Sequence, residues 1–334
     1  MNAALIAVQL EVDAEVLATT EAYRRHLEES AASAVTAAGA ADMRLVVFPE
    51  IAGHLALLAL APPQAHRTKS LGAALAAAAV RRPLDVLRGV VSARTLHPRH
   101  AVLAALAPDG ERFWRSVFGP LARRHAAYIV AGSHLRLSAS GDLTNASLLF
   151  APDGRCVAIT DKVNLVPGLE DAAPKALGLA RGEVDRLPIT DTPLGRIATL
   201  ICYDGFHTPH TSVERFVPLG PVLEARGGVA VAANPAANPW PWTAPWPPGS
   251  LDAPAHHYAT RAEQWQREGL PGSLALSPFA RWGVTAHLVG NVLDLSFDGV
   301  SAILEAGPQG IHVLARAPWP DRGGHIAATV TCKM

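Results

Sequence analysis

An apolar run that stops on a cysteine does most to limit what this chain can become. Ile197-Ala198-Thr199-Leu200-Ile201 carries no charge, and Cys202-Tyr203-Asp204-Gly205 follows at once, with Pro209 shortly after. A short apolar run bounded by breakers reads as a buried strand. Cys202 then lies at the carboxyl end of that strand, on the turn into the next element. Backbone N–H groups there are free to face a ligand, and their dipoles favour a thiolate. A lone free cysteine is usually an inert core residue. Two residues far upstream argue otherwise.

The same pattern occurs twice more. Arg44-Leu45-Val46-Val47-Phe48 is a buried strand that ends on Pro49-Glu50. Thr144–Phe150 and Arg155–Thr160 read as a hairpin joined by Ala151-Pro152-Asp153-Gly154, where Pro fixes φ and Gly takes φ > 0. Its second strand delivers Asp161-Lys162. Lysine occurs only at Lys69, Lys162, Lys175 and Lys333, which makes one at a strand end more informative. Open α/β sheets place their ligand chemistry at such ends. Taken singly, Glu50 is equally a helix cap and Lys162 a solvated charge.

The rest of the chain supplies the layers. Ala4–Leu10 reads as a first strand, and residues 13–38 as helical up to a stop at Gly39. Residues 55–110 read as alanine-rich helical pieces broken at Pro62-Pro63, Pro83, Pro98 and Pro108-Asp109-Gly110, a helical insertion covering one rim of the site. A helix is predicted over Phe113–Ala126 and a strand over Tyr128–Ser133. Residues 212–226 read as two short helical pieces, because Pro218, Gly220 and Pro221 interrupt them. A strand at Gly228–Ala233 precedes a proline-rich loop, Asn234–Gly249, with Trp240, Trp242 and Trp246. A helix from about Ala255 to Glu268 and strands at Thr285–Val289, Val300–Leu304 and Ile311–Ala315 complete the pattern. Hairpins mixed with βα units predict a layered α/β sandwich in one domain over residues 1–334.

Composition excludes several classes. Residues are 49% hydrophobic and 17% charged, enough for a large core. Twenty-nine basic residues balance twenty-nine acidic ones, so nothing steers the chain to nucleic acid or an anionic membrane. Cys156, Cys202 and Cys332 form no CxxC pair, which fits a reducing compartment and argues against a disulfide framework. Glu11 and Asp13 come too early for a signal peptide, and no apolar run spans a bilayer. The expectation is a soluble, cytoplasmic protein without a cofactor. Cys202, His207 and His210 have metal-like spacing, but a second ligand pair is missing, so no metal is expected.

Phe48-Pro49-Glu50, then Asp161-Lys162 with Leu165-Val166-Pro167 and Glu170, then Leu200-Ile201-Cys202-Tyr203-Asp204 resemble the three signatures of the carbon–nitrogen hydrolase (nitrilase) superfamily. Phe297-Asp298-Gly299-Val300-Ser301 resembles a further family element. The resemblance implies a four-layer αββα sandwich, paired with a second copy as a homodimer, acting on a small-molecule amide. It implies Cys202 as nucleophile, Glu50 as general base, Lys162 as the transition-state lysine and Glu170 as a supporting carboxylate. In that scheme Lys162 also lowers the thiol pKa. Tyr203, Asp204, Phe206 and Asn234 are candidate oxyanion or substrate contacts. Nitrile or N-carbamoyl hydrolysis, acyl transfer, and a non-catalytic binding role are the alternatives. Tyr203-Asp204 resembles the amidase side more than the Trp-Glu of nitrilases. Phe206-His207-Thr208 replaces the arginine that often follows the nucleophile, which favours a neutral amide over one carrying a carboxylate.

Overall fold

The computed structural model describes residues 1–62, 64–93, 95, 97–173, 176–245 and 260–332. Lys175, Trp246, Lys333 and the start of the helix expected from residue 255 lie outside them. Strand β1 (Asn2–Val12) leads into α1 (Thr20–Ala38) and β2 (Met43–Val47). Helices α2 (Ala52–Ala59), α3 (Leu71–Arg81), α4 (Pro83–Ser92) and α5 (Pro98–Arg124) follow. Next come β3 (Tyr128–Val130), β4 (His134–Leu137), β5 (Leu143–Phe150) and β6 (Cys156–Asp161). Then β7 (Thr190–Thr192) and β8 (Gly195–Thr199) precede α6 (Leu219–Ala225) and β9 (Val229–Ala237). Helices α7 (Arg261–Glu268) and α8 (Leu270–Leu276) lead to β10 (Ala280–Val292) and β11 (Leu295–Phe297). Strands β12 (Ala302–Gly307), β13 (Gly310–Arg316) and β14 (Gly324–Thr331) end the chain.

Strand β1 links two sheets. Ala3–Ala7 pairs in parallel with β2, while β14 runs antiparallel along the other edge from Asn2 to Gln9. Beyond that, Leu10–Val12 pairs in parallel with β10. The first sheet continues through β3 and β5, and the second runs β10-β9-β8-β7. Successive side chains of a strand face opposite ways, and β1 shows what each face meets. Ala4, Ile6 and Val8 enter a core with Tyr23, Leu27, Trp114 and Phe118 of α1 and α5. Ala3, Leu5 and Ala7 enter a core with Val231, Ala233, Val284 and Ala286 of the second sheet. On the far side, Ala232 packs with Leu219, Leu223, Leu270 and Leu274 of α6 and α8. Helix, sheet, sheet and helix make the αββα fold.

Several elements differ from the sequence expectation. Pro108-Asp109-Gly110 does not break the chain; it lies inside α5, which runs unbroken from Pro98. Proline in a helix interior costs ~3 kcal/mol. Here Val102, Leu103, Leu106 and Ala107 pack with Leu57, Leu135 and Leu143, and their burial outweighs that loss. Asp109 also receives ion pairs from Arg82 and Arg112. Residues 212–226 form one helix, α6, with an irregular approach. The edge strands β4, β7 and β14 were not anticipated. Among the described residues no helix is long and apolar enough to cross a membrane.

Candidate active site

Glu50 follows β2 in a turn held by strain and hydrogen bonds. Ile51 has φ +66°, costly for a β-branched residue, and its N–H donates to Ser133 Oγ at 3.1 Å. Close approach also fixes the neighbouring loop: Gly132 has φ +52°, and a Cβ there would meet Pro49 O at 2.1 Å. Glu50 is 2% exposed and Lys162 1% exposed. Lys162 Nζ donates to Glu50 Oε1 at 2.7 Å and to Glu170 Oε2 at 2.6 Å. The Val166 N–H donates to the same Glu170 oxygen at 2.9 Å. Lys162 thus stands between two buried carboxylates.

Cys202 sits at the sharp turn after β8, with φ +49° and 4% exposure. Its thiol donates to Ala237 O at 3.4 Å, and the Glu50 charge is felt at the same group. A neighbouring cation was expected to lower the thiol pKa. Lys162 does act in that direction, but burial first, and then the Glu50 charge, push the thiol well above its ordinary value, so Lys162 offsets only part. Two carboxylates around one ammonium leave the surroundings net negative, so the resting group is a neutral thiol. Burial likewise raises Glu50 above the usual carboxylate value. Attraction to Glu170 and Glu50 outweighs the burial of Lys162, which stays charged.

Three of the four candidate contact residues hold the loops by their side chains instead. Asp204 accepts from the N–H groups of Asn164 (2.7 Å), Val163 (3.3 Å) and Ile201 (3.3 Å), tying the lysine loop to the cysteine turn. Burial raises its pKa to about 7. Asn234 Nδ2 donates to Leu200 O at 2.6 Å and Cys202 O at 3.1 Å. Phe206 packs edge-on against Trp265 at 4.9 Å and Tyr203 at 5.4 Å. The Tyr203 side chain turns away too, donating to Glu214 Oε1 at 2.9 Å, so only its backbone N–H remains a candidate oxyanion donor. His207 is engaged by Arg267 O and Thr208, and His210 stacks on Tyr203 at 3.9 Å. No group of three potential metal ligands occurs among the described residues.

Asn145 was missed. Its Nδ2 donates to Glu50 Oε1 and to Glu170 Oε1, both at 2.9 Å, so it bridges the carboxylates. The available signal was an amide inside the strand-like run Thr144–Phe150. Replacing it removes hydrogen bonds to charged groups worth about 1.5–3 kcal/mol. Asn145→Ala is therefore expected to lower kcat/KM by roughly tenfold to a hundredfold and to shift the acid limb of its pH profile. An unchanged profile would make Asn145 a packing residue only.

A groove of about 840 Å³, lined by Arg196, Gly228, Phe279, Arg281 and Pro308, lies at the other ends of β8–β10 and shares no residue with this cluster. The charged cluster sits instead at the strands' carboxyl ends.

The family model for carbon–nitrogen hydrolases matches residues 4–327. The chain belongs to the carbon–nitrogen hydrolase family. Solved structures agree on the fold. An amidase from Nesterenkonia sp. superposes with a TM-score of 0.58 at 16% identity, covering 99% of this chain and 90% of the other. A double mutant of the amidase from Nesterenkonia sp. AN1, in complex with acrylamide, gives 0.57 at 15% identity, covering 99% and 90%. Another mutant of it, carrying acrylamide added to the active-site cysteine, gives 0.55 at 15% identity, covering 98% and 92%. A search of curated proteins finds no match.

Proposed function

We propose that this carbon–nitrogen hydrolase cleaves a small-molecule amide to a carboxylic acid and ammonia or an amine through a thioester on Cys202. One observation carries the reading: Lys162 lies between Glu50 and Glu170 at 2.7 and 2.6 Å, beside a cysteine on a strained turn. The similar Nesterenkonia amidases, with acrylamide bound or attached to cysteine, support an amide over a nitrile.

The chemistry follows from the protonation states. Glu50 takes the thiol proton as sulfur attacks the carbonyl carbon. The oxyanion draws on Lys162 and the backbone N–H of Tyr203. Glu50 returns the proton to the departing nitrogen, the C–N bond breaks, and the acyl group remains on sulfur. Water, deprotonated by Glu50, then attacks the thioester. The C–S bond breaks, the acid leaves, and sulfur regains its proton. Glu170 and Asn145 hold Lys162 and Glu50 in place.

Ammonia release from a panel of amides, N-carbamoyl compounds and nitriles tests this, with amides expected to be turned over best. Because burial raises Glu50 above 4.5, kcat/KM for an amide is expected to rise with pH along a limb above that value. A limb at or below 4.5, or turnover abolished by a chelator, would remove Glu50 from this role.

A further inference from the structure

Overall neutrality argued against an anionic membrane, but the charge is not evenly spread. Residues 55–110 hold seven basic residues against two acidic ones, Asp85 and Asp109, a charge of +5. The chain totals zero, so everything else together carries −5. The same stretch turns an apolar face outward. Val80, at the end of α3, and Leu84, Leu87 and Val91 of α4 are 60–80% exposed. They are four of the eleven large hydrophobic side chains exposed among the described residues. Spacing of i, i+3, i+4, i+7 puts Leu84, Leu87, Arg88 and Val91 on one side of α4. The other side is occupied: a Cβ on Gly89 would meet Ala101 O of α5 at 2.2 Å, and Val86 packs against the cluster of Leu103 and Leu106. Helix α3 continues the stripe with exposed Ala73 and Ala76, and Leu71–Val80 contains no polar side chain. A surface helix ordinarily turns polar residues outward; here both faces are apolar. Basic side chains border the outer one. Arg88 lies within it, and Arg67 and Lys69 are exposed just before α3. Arg99 is exposed beside the first turn of α3, its Nη2 3.7 Å from where a Cβ on Gly72 would stand.

We propose that α3 and α4 form a docking surface for an anionic lipid membrane, the apolar stripe entering the interface and the bordering basic residues meeting the headgroups. Each part of the arrangement favours this occupant. Helices that lie in a bilayer surface combine an apolar face with Arg and Lys around it, and anionic headgroups attract each such charge. A second copy is disfavoured, because a twofold contact sets one positively charged stretch against another. Protein interfaces fix their partners partly by hydrogen bonds, and between Leu71 and Val80 the stripe has no side chain able to make one. Lipid tails need none. Arg88 is paired with Asp85 at 3.0 Å, but the pair is exposed and weakly held, so Arg88 is able to turn to a phosphate. The insertion also packs against Leu165, three residues beyond Lys162, so docking brings this rim of the active site to the lipid surface.

Sedimentation with vesicles of phosphatidylcholine alone, or with about one-third phosphatidylglycerol, tests this. Wild type is expected to partition onto the anionic vesicles roughly tenfold or more strongly than onto the neutral ones, and to come off at about 1 M salt. Leu84→Ser, Leu87→Ser and Val91→Ser combined are expected to weaken partitioning by roughly tenfold or more. The melting temperature of that variant should stay within a few degrees of wild type, because the three side chains already face water. Arg88→Gln and Lys69→Gln are each expected to weaken partitioning roughly fivefold. Binding that the triple variant keeps in full, that is equal on both kinds of vesicle, or that high salt leaves unchanged overturns the proposal. A wild-type dimer in light scattering that becomes a monomer in the triple variant, with no vesicle binding, gives the stripe to a second copy instead. Monomeric protein that binds neither vesicle leaves the face to an acidic protein partner and overturns the membrane assignment.

Discussion

Cys202→Ala is expected to abolish amide turnover, lowering kcat/KM on the order of 10⁴-fold or more, and to leave the fold standing. The two halves have separate causes. Turnover is lost because the other described cysteines lie elsewhere, Cys156 in β6 and Cys332 just beyond β14. Stability is retained because the resting group is a neutral thiol, held up by burial and by Glu50. Removing a neutral group leaves no buried charge unpaired. The loss is one weak S–H bond to Ala237 O and a small void, while the backbone strain at φ +49° persists in alanine. The melting temperature should therefore stay within a few degrees of wild type, and the ultraviolet thiolate band should be absent from wild type at neutral pH. A thiolate band that disappears in Cys202→Ala would show that Lys162 dominates the site. Turnover that survived the substitution would remove the thioester route.

The strand ends were legible because a strand buried on both faces writes an uninterrupted apolar run. Leu45–Phe48 and Ile197–Ile201 are such runs, and the residues that follow them, Glu50 and Cys202, fall beside Lys162 in the fold. Strand β14 is only half-buried, and its partner β1 lies at the other end of the chain, so neither pattern nor neighbourhood announced it. Pro108 shows local chemistry overruled: the break expected at a proline was overridden by the packing of Leu103, Leu106 and Ala107. The place of Asn145 depends on contacts between distant segments, with Glu50 and Glu170. The net direction of the thiol pKa was hidden for a related reason, although the Lys162 contribution has the expected sign. One cation near Cys202 could be read from the sequence, but the sign of the local field depends on two carboxylates converging around that cation.

Lys162→Met should cost far more stability than Cys202→Ala, as well as all activity. The substitution keeps an unbranched chain of similar length and deletes the ammonium between Glu50 Oε1 and Glu170 Oε2. Breaking a buried pair by removing one partner costs about 3–5 kcal/mol, because the remaining charge stays in a medium that cannot solvate it. Two carboxylates are stranded here, with Asn145 as their shared donor. Burial and repulsion from Glu170 raise the folded-state pKa of Glu50, whereas the unfolded chain keeps an ordinary value near 4.5. A carboxylate raised on folding is equally protonated in both states below its unfolded value, so the penalty is absent there. As pH rises from the unfolded value to the folded one, the unfolded state releases its proton first and stability is lost. The gap in melting temperature between wild type and Lys162→Met is therefore expected to be small near pH 4.5 and to widen towards neutrality. The double variant Lys162→Met with Glu170→Gln removes one of the stranded charges and should recover part of the gap at about pH 7. A gap that is constant with pH, or that the second substitution does not narrow, would mean that the carboxylates are not electrostatically coupled through Lys162.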